Sequence, residues 1–124
     1  MKHVYTKNAP EAVGPYSQAI VSGNYVFVSG QLGINQDGML GKDITEQTEA
    51  ALTNLSAILT AAGSDLLNVV KTTCFLADGE DFALFNGIYA KFFTAKPARS
   101  LIKASALPKG ALVEVEAIAK ICNE

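Results

Sequence analysis

The stretch from Asp43 to Gly63 constrains the fold most. Apolar residues fall at Ala51, Leu52, Leu55, Ile58, Leu59 and Ala62, a three-to-four spacing that lays one stripe along an α-helix. Asp43, with Glu46 three positions later, reads as a capping-box start, and Gly63 suits the left-handed residue that closes a helix. The Thr, Glu, Gln and Asn residues on the other side read as a solvated face. A helix with a single apolar stripe must lay it on another layer, and the flanking sequence supplies strands for that layer. Residues 19–22 and 25–28 are β-rich runs joined by Gly23-Asn24, a two-residue link that fits a hairpin with a type II′ turn. The second run leaves through Ser29-Gly30-Gln31-Leu32-Gly33. Two glycines in four residues allow a bulge or a close backbone approach, although composition alone favours a plain strand exit.

The second half of the chain repeats the alternation of periods. Residues 69–77, Val-Val-Lys-Thr-Thr-Cys-Phe-Leu-Ala, are rich in β-branched side chains and read as a strand, broken by Asp78-Gly79-Glu80. Phe82, Phe85, Ile88, Tyr89, Phe92 and Phe93 then recur at helical spacing, an aromatic stripe that reads as core rather than as a ligand box. Gly87 inside it points to close packing on a neighbour. Pro97 ends the helix, residues 99–104 form a short strand, and Leu107-Pro108-Lys109-Gly110 is a turn. In the last strand Val113, Val115, Ala117, Ala119 and Ile121 point one way, and Glu114, Glu116, Ile118 and Lys120 the other. A further N-terminal strand is expected around Val4-Tyr5.

The order ββ, α, β, α, ββ predicts an α+β fold in one domain over residues 1–124, with two helices packed on one face of a mixed β-sheet. Apolar residues occur at both parities of several strands, so both faces of the sheet are expected to be buried. A domain of this size buries only about two-thirds of the surface its unfolded chain exposes. A mean hydropathy of +0.22, with 49% of residues hydrophobic, therefore points to apolar surface covered by further copies of the chain.

Other counts exclude chemistry. A net charge of −2 and no basic run argue against an electrostatic nucleic-acid binder. The one histidine is His3 and the two cysteines are Cys74 and Cys122, so no zinc-ligand spacing exists and no metal is expected. His3 reads as a solvated terminal residue, and Cys74 as a packed, inert thiol. No apolar stretch approaches membrane-spanning length and the first seven residues lack a signal-peptide core, so a cytoplasmic protein without membrane contact is expected. The remaining chemistry must come from carboxylates, arginine, tyrosine, hydroxyls and the backbone.

Three places offer it. Arg99 follows a proline-fixed bend in Pro97-Ala98-Arg99-Ser100, and its fork matches a carboxylate or phosphate in two parallel hydrogen bonds; its plainer reading is a surface or structural ion-pair arginine. Glu114 and Glu116 share a strand face, where acid–base work competes with simple solvation. Tyr16, in Gly14-Pro15-Tyr16-Ser17-Gln18-Ala19, follows a turn and can offer its ring or its hydroxyl to a pocket.

Taken together, Gly14-Pro15-Tyr16-Ser17-Gln18-Ala19, Ser29-Gly30-Gln31, Asn86-x-x-Tyr89-x-x-Phe92-Phe93, Pro97-Ala98-Arg99-Ser100 and the run from Leu107 to Ala117 resemble the reactive intermediate deaminase (RidA, or YjgF) family. The resemblance covers the chain from about Asn8 to Ala119. It implies a chorismate-mutase-like subunit in a homotrimeric barrel, with active sites between subunits and no cofactor. The implied reaction is hydrolysis of reactive 2-imino acids, such as 2-iminobutanoate and 2-iminopropanoate, to 2-keto acids and ammonia. Carried over by motif, Arg99 clamps the substrate carboxylate, Glu114 rather than Glu116 handles the attacking water, the Gly30 carbonyl accepts from the substrate nitrogen, and Tyr16 lines the pocket. Ser29, Asn86 and Glu116 serve support and packing. The sequence departs from the archetype twice: Leu101 stands where a cysteine follows the motif arginine, leaving the backbone N–H at 101 to bind the carboxylate, and only Thr94-Ala95-Lys96 separate Phe93 from Pro97. A non-catalytic module binding a 2-keto acid or amino acid in the same cleft is the alternative.

Overall fold

The computed structural model describes residues 1–122. Six strands and two helices follow in the order β1 (Lys2–Val4), β2 (Ala19–Ser22), β3 (Tyr25–Leu32), α1 (Ile44–Ala61), β4 (Val69–Ala77), α2 (Phe82–Phe92), β5 (Ala98–Ala104) and β6 (Val113–Lys120). They form one sheet in the order β1-β2-β3-β6-β4-β5. Every neighbouring pair is antiparallel except β4 and β5, which run parallel with α2 as the crossover between them. The α+β class, the mixed sheet and both helices thus match expectation. The N-terminal strand ends at Val4, one residue earlier than expected, and β6 ends one residue before Ile121.

Local chemistry explains the boundaries. Gly23 alone takes positive φ (60°) in the β2–β3 turn, as a type II′ turn requires. The Asp43 carboxylate accepts from the Glu46 N–H at 2.9 Å. The return bond of the capping box is displaced by one residue, because Glu46 Oε1 accepts from the Lys42 N–H instead. At the other end Gly63, φ 86°, donates to Thr60 O while the Ser64 N–H reaches Leu59 O, a complete Schellman closure.

The helices cover one face of the sheet. Leu52, Leu55, Ile58 and Leu59 of α1 and Phe85 of α2 are wholly buried against Val26, Cys74, Leu76, Val113, Val115 and Ala119 from the strands. Cys74 is the packed thiol expected; burial raises its pKa to about 11, so it is protonated at neutral pH. The opposite face is uncovered in the single chain: Phe27 is 46% exposed and Ile102 48%. Two expectations are corrected. Gly87 is not closely packed within the chain, since a Cβ there would meet nothing within 4 Å. And β3 does not simply exit after Val28; it runs on to Leu32 through a register shift between Val28 and Gln31.

Candidate functional site

That bulge builds the first half of the site. It sets Gly30 beside β6, where Leu32 pairs with Glu114. A Cβ at Gly30 would lie 2.2 Å from Glu114 Oε2 and 2.8 Å from its carboxyl carbon, so the missing side chain is the space the carboxylate occupies. Gly33 performs the other role the sequence left open: its backbone lies so close to α1 that a Cβ would sit 2.4 Å from Gln47 Cα. This approach fixes the loop after β3 on the helix start. Gln47 strengthens it by donating to Gly41 O at 2.9 Å and accepting from the Leu112 N–H at 2.8 Å, which ties the loop before β6 to the same point.

The Glu114 carboxyl opens into a cleft of about 340 Å³ walled by Pro10–Val13, Tyr16, Gly30, Leu32 and Lys109. Its N-terminal wall is pinned by Gln18, which is buried and exchanges bonds with the Thr6 N–H (2.7 Å), Thr6 O (3.1 Å) and Pro10 O (2.9 Å). Tyr16, 53% exposed, stands at the mouth. Partial burial, and secondarily the charge of Glu116, raises the Glu114 pKa above the ordinary 4.5. Glu116 itself is exposed. His3 sits on the surface with Nδ1 2.8 Å from Ser17 Oγ.

Arg99 lies elsewhere. It pairs with Thr72 across the β4–β5 ladder, and so shares the helix-covered face, while Glu114 pairs with Phe75 on the open face. The two residues project from opposite sides of the same sheet. Arg99 lines a second cleft, about 680 Å³, with Asn86, Tyr89, Ala90, Phe93, Lys96 and Pro97. Its Nη1 donates to Asn86 Oδ1 at 2.8 Å, and its guanidinium lies 4.8 Å from the Tyr89 ring centroid and 5.9 Å from that of Phe82. Leu101, next but one on β5, packs its side chain against the helix-side core and lines neither cleft.

Within the described residues of one chain, Arg99 finds no ion-pair partner. Among the described residues the one ion pair is Lys42–Glu46, so the half-buried guanidinium has no carboxylate of its own. A cation held by a neutral amide and two ring faces, at a cleft open to solvent, is complementary to an anionic ligand. The aromatic stripe is thus mostly core, as expected, but Tyr89 and Phe82 also form the bed of Arg99. The signal for this was present: Asn86 and Tyr89 stand three apart and therefore share one helix face.

Comparison with known proteins gives a consistent relationship. The family described as Endoribonuclease L-PSP matches residues 6–121. A RutC family protein of Pyrococcus horikoshii is 49% identical over 119 residues, covering 94% of each chain. The 2-iminobutanoate/2-iminopropanoate deaminase of Bos taurus is 45% identical over 121 residues, covering 95% of this chain and 88% of its own. Among solved structures, TdcF of E. coli with bound serine superposes with a TM-score of 0.93 at 37% identity, over 98% of this chain and 100% of that one.

Proposed function

Because this chain belongs to the Endoribonuclease L-PSP family, the family of the reactive intermediate deaminases, we propose that it is an enamine/imine deaminase, hydrolysing small 2-imino acids to 2-keto acids and ammonia. The observation that carries the proposal is the Arg99 guanidinium at its cleft, without a carboxylate partner among the described residues, the chemistry needed to hold a 2-imino carboxylate. Arg99, aided by the backbone N–H of Leu101, binds the carboxylate. Glu114 orients a water and takes its proton as the oxygen bonds to C2 and the C=N π electrons move to nitrogen. The Glu114 carboxyl returns that proton to the nitrogen, and in the carbinolamine so formed the hydroxyl proton passes by way of Glu114 to the nitrogen as C=O forms and the C–N bond breaks, releasing ammonia and the 2-keto acid. The Gly30 carbonyl accepts from the substrate nitrogen, and Tyr16 covers the pocket. A carboxyl whose pKa lies above the usual value both takes and returns a proton more readily near neutral pH. The chain's own residues suffice for this sequence, with no cofactor.

Arg99 and Glu114 face opposite sides of one sheet, so the complete site lies between subunits, Arg99 from one and Glu114 from the next. The exposed apolar side chains of the open face, Phe27 and Ile102 among them, are the surface on which a homotrimer closes. Each copy acts as a single domain over residues 1–124. A cytoplasmic location suits the buried thiol of Cys74. No helix among the described residues is long and apolar enough to cross a membrane. The residues do not favour RNA cleavage: His3 is engaged at the surface and the chain carries no basic run.

The test is a coupled assay in which a serine/threonine dehydratase generates the imine. Wild-type protein should release ammonia and keto acid faster than buffer, and Arg99→Ala and Glu114→Ala should match buffer while keeping the assembly. Wild-type protein no faster than buffer, with calorimetry still detecting a keto acid in the cleft, would favour the ligand-binding alternative.

A further inference from the structure

Arg99 is the only arginine in the chain, and its side chain has four rotatable bonds to fix before a planar two-bond contact can form. Asn86 restrains one nitrogen of the guanidinium. Beneath the guanidinium, 4.8 Å from its carbon, lies the ring of Tyr89, and that ring is itself anchored from behind. The Tyr89 hydroxyl lies 2.7 Å from Thr72 Oγ1, a wholly buried hydroxyl on β4. Thr72 is also the cross-strand partner of Arg99. The Cys74 thiol, 3.8 Å away, faces the same hydroxyl. Phe93 and Phe85 pack against the Tyr89 ring at centroid distances of 4.6 and 5.6 Å.

One residue thus spans the buried sheet and the cleft floor. A phenylalanine would fill the core equally well, and a core role does not call for a hydroxyl that reaches the neighbour of Arg99. Resting on the reading of Arg99 as the carboxylate clamp, we propose that Tyr89 is a positioning residue, latched by Thr72, that presents the guanidinium edge-on to the substrate. It acts through Arg99 and touches no reacting atom. A guanidinium is planar by its own bonding, and a fixed ring beneath it limits where that plane can sit, which favours a flat carboxylate bound to its exposed N–H edge.

The test has a kinetic arm and a spectroscopic one. Nitrogen-resolved NMR of a single-arginine protein gives one Nε–Hε signal, displaced by the Tyr89 ring current. Tyr89→Leu should lose that displacement and raise KM by about tenfold with kcat within twofold, the signature of lost binding common to ground and transition states. Tyr89→Phe keeps the ring but frees it, and should raise KM by about threefold; Thr72→Val should do the same, and the double variant no more, because both remove one bond. Should Tyr89→Leu not fold, the phenylalanine and valine variants decide alone. Wild-type KM and an unmoved arginine signal in folded variants, with Arg99→Ala inactive, overturn the positioning role and leave the deaminase reading intact. Arg99→Ala at the wild-type rate overturns the clamp beneath both.

Discussion

Gly30→Ala is the sharpest probe of the Glu114 cleft. The added methyl would lie 2.2 Å from Glu114 Oε2, about 1.2 Å inside ordinary contact at 3.4 Å. The backbone at Gly30 does not have positive φ, so alanine is conformationally acceptable there. The obstructing atoms belong to the far end of a flexible side chain, so the carboxyl swings aside and the fold survives. A displacement near 1 Å of a group that positions a reactant costs on the order of 10²-fold in rate. Through the barrier this is about 2.7 kcal/mol. In the dehydratase-coupled assay, kcat should therefore fall by about 100-fold, with KM little changed because Arg99 is untouched. Circular dichroism and sedimentation should be those of the wild type. A folded Gly30→Ala protein with wild-type kcat would show that the carboxyl beside Gly30 is not the one that handles water.

Four further outcomes are expected from the same packing. Gly33→Ala should destabilise by about 3 kcal/mol or more in denaturant unfolding, because its methyl would meet helix backbone that cannot step aside. The acid limb of kcat/KM should lie above the 4.5 of an ordinary glutamate, since the base role proposed for Glu114 requires its ionised form; Glu116→Gln should move the limb partway down and no further, burial being the larger cause. The folded state holds the Glu114 proton more tightly than the unfolded chain, so the wild type loses stability as pH rises through the unfolded and then the raised folded pKa. Glu114→Gln should accordingly raise Tm at pH 7 to 8, with the advantage gone below about pH 4. Gly87→Ala should stabilise the protein by about 0.5–1 kcal/mol, the helix-interior cost of glycine, as open space surrounds it; a loss of stability would mean that a neighbouring copy fills that space.

Periodicity made the helices, the hairpin and the alternation of β6 legible, because each is a local property of which face is buried. Gly30 and Gly33 show where that reasoning stops. Their spacing permitted a bulge or a close approach, but the partners, Glu114 and Gln47, are distant in sequence, and composition favoured the plainer exit. Arg99 and Glu114 were recognised through motifs, yet no pattern along a strand reports that they leave the sheet on opposite sides. That fact depends on the long-range registers that set Arg99 opposite Thr72 and Glu114 opposite Phe75 across β4. The bed under Arg99 was half legible: the helical spacing of Asn86 and Tyr89 put them on one face, while burial alone assigned that face to the core. Gly87 misled, since glycine in a helix signals a missing side chain but not what stands opposite.

The division of Arg99 and Glu114 between the two sides of one sheet has a genetic consequence. If the proposed roles and intersubunit site hold, a chain lacking the arginine and a chain lacking the glutamate should each be inert as pure assemblies, yet when they are refolded together some seams should join an intact Arg99 to an intact Glu114. Such mixtures should recover a fraction of wild-type turnover set by the odds of that pairing. Two chains carrying the same lesion recover nothing at any ratio. Inheritance of activity would then follow the contact between copies rather than the copy itself.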